Sequence, residues 1–346
     1  PHAGIPHSST SRGLGDVYKR QAGIGYTGIR VRGVSPQSTN ITINGIPFND
    51  PESMGTFWVN LPDFTSSVQS LQLQRGIGTS TNGSGAFGAS INISTDNISQ
   101  TPYAEISSSF GSFNTRKNTI KFSTGKINDV FEFSGRFSKI DSDGYVDRAF
   151  SDLKSYFIQG TYLKGSTLIK AISFAGHEKT YQSWYGLTMD QLKENRRQNP
   201  YTYENEIDNY KQDHYQLHWN EKINNFWSFN LGLNYTYGRG YFEQFREDDN
   251  IDTYGGIVSS DTNSNGEKTD TTDLIRRRWL DNDFYVFNSS LNFIKNKIDL
   301  TISSSYSSYV GDHFGEVIWA RTFSSNGKIR DRYYAVSYTH LRAHET

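Results

Sequence analysis

The sequence has no cysteine, only two methionines and eight prolines among 346 residues, and no apolar run near the roughly 18 to 20 residues that a membrane-spanning helix needs. Without cysteine there is no disulfide framework, no thiol nucleophile and no Cys-ligated zinc or iron–sulfur centre. An excess of either charge is also missing. The 35 Lys+Arg stand against 36 Asp+Glu for a formal charge of −1, which removes any global electrostatic pull toward nucleic acid or an acidic partner, and no local nucleic-acid motif replaces it. What the chain does have is aromatic residues, 22 Tyr, 22 Phe and 6 Trp, together with 31 Gly. A mean hydropathy of −0.66 combined with so many rings fits one membrane class. In β-barrels that span a membrane, lipid-facing and lumen-facing residues alternate, so the mean stays low while aromatics run high.

Both ends stand apart from the rest. Residues 1–21 show neither strand nor helix period and no charged and apolar regions of a signal peptide. The stretches RGLGDVYKRQ and VSYTHLRAHET resemble translated adapter read-through at the edges of gene fragments, so residues 1–21 and 337–346 are read as a non-native leader and tail. Four of the eight histidines (His2, His7, His340 and His344) lie there, which thins any metal argument.

Residues 22–98 form the first organised block. Short alternating segments at Gly28–Arg32, Asn40–Asn44, Val68–Gln74 and Ala89–Ser94 are divided by Gly, Pro, Asn and Ser clusters, as in small β-units joined by tight turns. Gly83-Ser84-Gly85-Ala86-Phe87-Gly88 matches a dinucleotide fingerprint in letters only, because a strand pattern follows where that fold requires a helix. The order of elements is more specific. Arg32-Gly33, ITINGIP with its Asn44-Gly45 turn, LPDF, LQLQRG at Leu71–Gly76 and GSGAFGASINIST together resemble the plug domain of TonB-dependent outer-membrane transporters. Asn44 replaces the usual acidic turn residue and Gly88-Ala89 replaces a Gly-Gly pair; the pattern is closer to the iron-complex branch of Bacteroidetes type than to the glycan importers.

From residue 99 to 336 the strands lengthen. In Phe226–Tyr237, Trp227, Phe229, Leu231, Leu233, Tyr235 and Tyr237 alternate with Ser228, Asn230, Gly232, Asn234 and Thr236, and the alternation returns at Val130–Lys139, Gln212–Asn220, Phe284–Phe293 and Ile298–Ser308. Such a face suits either a sandwich core or lipid. Connection lengths separate the two. Short turns near Lys126–Asp129, Lys164–Ser166, Asn224–Asn225 and Lys295–Asn296 alternate with long connections at Ser142–Asp152, Lys179–Tyr210 and Gly238–Asn282, the parity of an outer-membrane barrel. Thr167–Gly176 fits neither face, since Lys170 shares a parity with Leu168, Ile172 and Phe174. The fold expected is an all-β membrane protein: a partial plug, then about the first nine or ten strands of an antiparallel barrel of about 22.

The loops and polar faces give little chemistry. Asp261–Gly266 matches half of a calcium loop but has Thr272 at the twelfth position. His214 and His218 share a face about 13 Å apart, too far to ligate one ion. Arg276, Arg277, Arg278 and Trp279 suit lipopolysaccharide phosphates at an outer rim. Leu187–Arg197 is read as a short loop helix. No nucleophile, base and orienting residue occur at usable spacing, so no catalytic residue, no enzyme activity, no metal ligands and no cofactor are expected.

The resemblance implies active uptake of a scarce bulky nutrient across a Gram-negative outer membrane. The cargo would be a ferric siderophore or other iron complex, with haem and a cobalamin-like ligand also open, and the drive would come from the TonB–ExbB–ExbD complex. It also implies site residues. Arg32 and Arg75 hold the positions that lock plug to wall, and the apical loops Gly25–Gly28, Ser35–Ser38 and Asn49–Trp58 offer Tyr26, Gln37, Ser38, Phe57 and Trp58 to a substrate. The competing readings are a surface β-protein acting as an adhesin or glycan-binding module, and an outer-membrane hydrolase.

Overall fold

The computed structural model describes residues 17–20, 24–31, 33–76, 88–95, 97–255, 266, 269–321 and 332–345. A hairpin of β1 (Val17–Arg20) and β2 (Thr27–Arg30) precedes a four-stranded sheet of β3 (Thr39–Ile43), β4 (Ile46–Pro47), β5 (Val68–Arg75) and β6 (Ala89–Thr95). Its order is β4-β3-β6-β5, with β3 and β6 parallel. Ten long strands follow: β7 (Tyr103–Gly111), β8 (Thr115–Ser123), β9 (Phe131–Ser142), β10 (Ser151–Lys164), β11 (Thr167–Tyr181), β12 (Ile207–Lys222), β13 (Trp227–Asn250), β14 (Thr271–Lys295), β15 (Ile298–Ala320) and β16 (Tyr334–Glu345). They make one antiparallel meander in chain order, the wall, and the small sheet is the plug.

The alternation read from the sequence sorts the wall into two faces. Tyr215, Leu217 and Trp219 of β12 are exposed on the outside, while His214, Gln216 and His218 are buried on the inside. In β9, Phe131, Phe133 and Phe137 point out and Glu132, Ser134, Arg136 and Ser138 point in. Outward aromatics gather in two rows. Trp227 packs on Phe293 at 4.8 Å and Trp219 on Phe229 at 5.5 Å, whereas Tyr215, Tyr235 and Tyr285 stack across β12, β13 and β14 at 6.1 and 4.9 Å. From Trp227 to Tyr235 the strand climbs roughly 27 Å before tilt, about the height of the apolar band of an outer-membrane barrel.

β11 resolves the parity that the sequence left unassigned. Its even residues face inward, and Ile172 and Phe174 are buried because the plug packs on them. Together with Phe157 of β10 they join Ile41, Ile43, Leu61, Phe64, Ile91 and Ile93 in one core. Each such side chain contributes roughly 1.5–3 kcal/mol of burial energy, so plug and wall share a hydrophobic core at this one sector.

Inside the plug, Asn44 (φ 55°) and Gly45 (φ 80°) form the tight turn expected of Asn-Gly, and Ile43 pairs with Ile46 across it. Asn44 also binds outward from the turn: its Oδ1 accepts from the Thr95 N–H at 3.0 Å and its Nδ2 donates to Gln216 Oε1 of the wall at 3.2 Å.

Two expected loop lengths change. The connection expected over Gly238–Asn282 is mostly strand, because β13 and β14 stay paired from Trp227–Phe293 to Asn250–Thr271 and leave a link of residues 251–270. Cross-strand pairing continues past the apolar band, where the alternation that marked the strands fades. For the same reason β11 and β12 shorten the Lys179–Tyr210 connection to residues 182–206, which carries the helix α1 (Met189–Glu194) behind a Thr188–Gln191 capping box. The segment set apart as a tail supplies β16, paired with β15 from Ser304–Glu345 to Gly315–Tyr334. Asp261–Asn265 of the half calcium loop lie outside the described residues.

Candidate functional site

Two inner-face sites join plug and wall. The lower one centres on Asp63 of the LPDF stretch, held in the left-handed region (φ 54°) at the start of a short 3₁₀ turn, Phe64–Ser67. Its carboxylate accepts from Ser66 Oγ at 2.6 Å within the plug, and from Thr119 Oγ1 and Ser138 Oγ of the wall, both at 2.7 Å. Lys117 forms an ion pair with it, and Arg136 Nη1 lies 3.4 Å away. Arg136 is almost completely buried, at 1% exposure. Its guanidinium also donates to Ser67 Oγ at 2.8 Å and Ser155 Oγ at 3.1 Å, and Ser155 Oγ in turn donates to the Pro62 carbonyl at 2.6 Å. Burial alone would push the Asp63 carboxyl upward. The hydrogen bonds from Lys117, Ser66, Ser138 and Thr119 outweigh it and hold the group below its ordinary value, so the plug foot is a charged anchor.

The upper site is a cavity of about 150 Å³ between the plug loop of residues 47–57 and the inner face of β11 to β15. The loop is rigid for local reasons. Asn49 accepts from the Ile41 N–H at 2.7 Å and donates to the Thr39 and Met54 carbonyls at 2.9 Å, and Asp50 accepts from the Ser53 N–H and Oγ at 2.7 Å. Glu52 reaches the wall, where Tyr309 Oη and His313 Nε2 contact its Oε1 at 2.8 and 3.1 Å. Gly238 and Gly240 leave room for Tyr210, since a Cβ at either position would overlap it. Tyr26 closes one side by donating its hydroxyl to Asp208. Its phenol is pushed well above the ordinary value by burial and then by the negative charges of Glu178 and Asp208, so it stays a donor.

Of the residues expected at the substrate, Tyr26 and Phe57 line this cavity. Trp58 packs half-buried against the shared core, 6.3 Å from the Phe48 ring. Ser38 is buried and its carbonyl accepts from the Gly88 N–H at 3.0 Å, while Gln37 is exposed and bonded to Ser35; none of these three is in the lining. Arg32 lies outside the described residues, and Arg75 is exposed at the end of β5. Among the described residues, Asp63–Arg136 is a buried plug–wall ion pair, with the acid on the plug. Sequence reasoning passed over Asp63, Glu178, Asp208 and Tyr309; strand parity would have marked Asp208 and Tyr309 as inward-facing. At the upper rim, Arg276, Arg277 and Arg278 bond Gln244, Glu243 and Tyr334 of the same chain. Among the described residues, no group of three or more His, Asp or Glu side chains is arranged to hold a metal.

Residues 8–90 match the family model of the TonB-dependent receptor plug domain, and that span includes β3, β4 and β5 of the sheet seated on the wall. The chain carries a TonB-dependent receptor plug domain. The match begins within the stretch read as a leader. No curated protein sequence matches. Among solved structures, the copper transporter OprC superposes with a TM-score of 0.65 at 13% identity, over 88% of this chain and 42% of that one. The ferric citrate transporter FecA gives 0.63 at 15%, over 91% and 46%. The siderophore receptor PiuA of Acinetobacter baumannii gives 0.62 at 12%, over 94% and 48%. The chain thus shares their fold over the plug and ten wall strands, and it spans about half the length of the structures it matches. This family resides in the Gram-negative outer membrane, and its members are receptors and transporters.

Proposed function

We propose that this TonB-dependent receptor imports a scarce bulky nutrient, a ferric siderophore or another iron complex, across the outer membrane. The observation that supports this most is the seating of the plug. A four-stranded domain shares a core with the inner face of a wall whose outer face is apolar, which is an arrangement for closing a pore rather than for displaying an adhesive surface. Solved proteins of the same fold include a copper transporter, a ferric citrate transporter and a siderophore receptor.

In the proposed cycle, ligand settles over the loop of residues 47–57 and the Tyr26 edge. TonB–ExbB–ExbD then supplies force that loosens the Asp63 anchor and the shared core, and the lumen opens. Outer-membrane lipid meets the aromatic rows, and the Arg276–Trp279 rim lies at lipopolysaccharide height. Any metal arrives already chelated, because the cavity offers no cluster of ligands for a bare ion.

Cells producing the intact receptor are expected to bind radiolabelled ferric chelates whether or not TonB is present, but to accumulate them only with TonB. Equal accumulation in both strains would contradict the proposal.

A further inference from the structure

The cavity has a one-sided charge. Among the described residues its lining includes Asp50, Glu178 and Asp208 but no lysine or arginine, and Glu52 lies beside it on Tyr309. Glu178 and Asp208 stand on the adjacent strands β11 and β12, where Asp208 pairs in register with Thr180. Among the described residues, none of Asp50, Glu178 and Asp208 has a lysine or arginine ion-pair partner. Their hydrogen bonds come from Ser53, Thr180 and Tyr26. Buried carboxylates left without a counter-cation are costly unless something else supplies one.

A second, independent feature points the same way. Asn60 and His214 both line the cavity and are more than nine-tenths buried, yet Asn60 Oδ1 and His214 Nε2 have no hydrogen-bond partner. Asn282, also in the lining, has its Oδ1 unpartnered while its Nδ2 reaches the Tyr210 hydroxyl at 3.4 Å. Asn60 belongs to the plug, His214 to β12 and Asn282 to β14, so the unmet polar atoms come from three separate elements around one space. Phe48, Phe57, Phe242 and Phe284 supply the apolar part of that lining. Rings beside carboxylates suit an organic cation, whose charge and carbon surface are both accommodated.

Resting on the uptake reading above, we propose that this cavity selects for positive charge: it takes an ammonium or guanidinium group borne by a metal chelate, and it turns away chelates that are anionic. The volume of about 150 Å³ fits such a head group and not a whole chelate, so the rest of the ligand lies above the plug loop. Tyr26 and Asp208 place the selecting charge where plug and wall meet. A bound cation would therefore touch both parts at once.

The test uses two probes that differ only in that charge, ferrioxamine B with its free ammonium and its N-acetylated, neutral form, with ferric citrate as the anionic comparison. Equilibrium binding to the intact receptor is expected to be roughly tenfold or more tighter for the ammonium form, with ferric citrate weakest. Glu178→Gln and Asp208→Asn are each expected to shrink the ratio between the affinities of the ammonium and neutral forms. Should either variant fail to fold, the wild-type comparison decides alone. TonB-dependent import of chelates with no preference for the ammonium form overturns this inference while leaving the uptake reading in place. A receptor that imports no chelate of any charge overturns both.

Discussion

Asp63→Asn in the intact receptor is expected to destabilise the seated plug by about 3–5 kcal/mol, the cost of leaving a buried charge unpaired. The amide keeps the shape of the aspartate but removes the negative charge facing the Arg136 guanidinium, which is 1% exposed. Adding Arg136→Met should recover a large part of the loss, since a buried ion pair replaced by apolar groups of similar volume is often near neutral. Urea titration of plug unfolding, read apart from the wall, measures both variants. Strictly additive losses would show that the two residues do not act as a pair. The pH dependence has a definite sign. Because the folded Asp63 carboxyl is held below its ordinary 3.8, its stabilisation is complete above that value and is lost as pH falls through the depressed folded one. The asparagine variant should lack this acid limb.

Gly176→Val is expected to have the second large effect. Gly176 faces inward on β11, and a Cβ there would overlap the Asn60 carbonyl oxygen and sit 2.7 Å from Pro62 Cδ. The obstruction is plug backbone, which cannot rotate away as a side chain would. Overpacking of this kind costs about 1–3 kcal/mol or more, and here the strain falls on the segment leading into Asp63. Cells carrying the variant should become permeable to large antibiotics that the outer membrane otherwise excludes. Wild-type resistance together with normal receptor levels would show that the plug does not rest against this strand.

How much of this was legible in the sequence differs by element. The alternation in β13 was readable because one side meets lipid along many residues and the other meets water, so the period of two is undisturbed from Trp227 to Tyr237. β11 was unreadable from its own residues. Its inner side meets the apolar plug, which puts Ile172 and Phe174 where a lumen strand carries polar groups, and that neighbour lies more than 70 residues away in the chain. The Asn44-Gly45 turn could be named because its chemistry is local.

Asp63 could not, because an aspartate after a proline reads as an ordinary turn residue, and what makes it an anchor is Lys117, Thr119, Arg136 and Ser138 on two other strands. The apical loop was found as a segment, yet only Tyr26 and Phe57 of the five named residues reach the cavity. Flat rings can be picked by type. Which ring turns toward the cavity and which toward the core is decided by packing, as Trp58 beside Phe48 shows.

The account rests on a plug held inside the wall by its own contacts, and amide hydrogen exchange of the intact receptor tests this most directly. Ile41, Ile43, Ile91 and Ile93 should exchange as slowly as the central wall strands, and in Asp63→Asn they should exchange faster while β12 and β13 stay unchanged. Plug amides that exchange freely in the wild type, or that respond to the substitution only together with the wall, would contradict it.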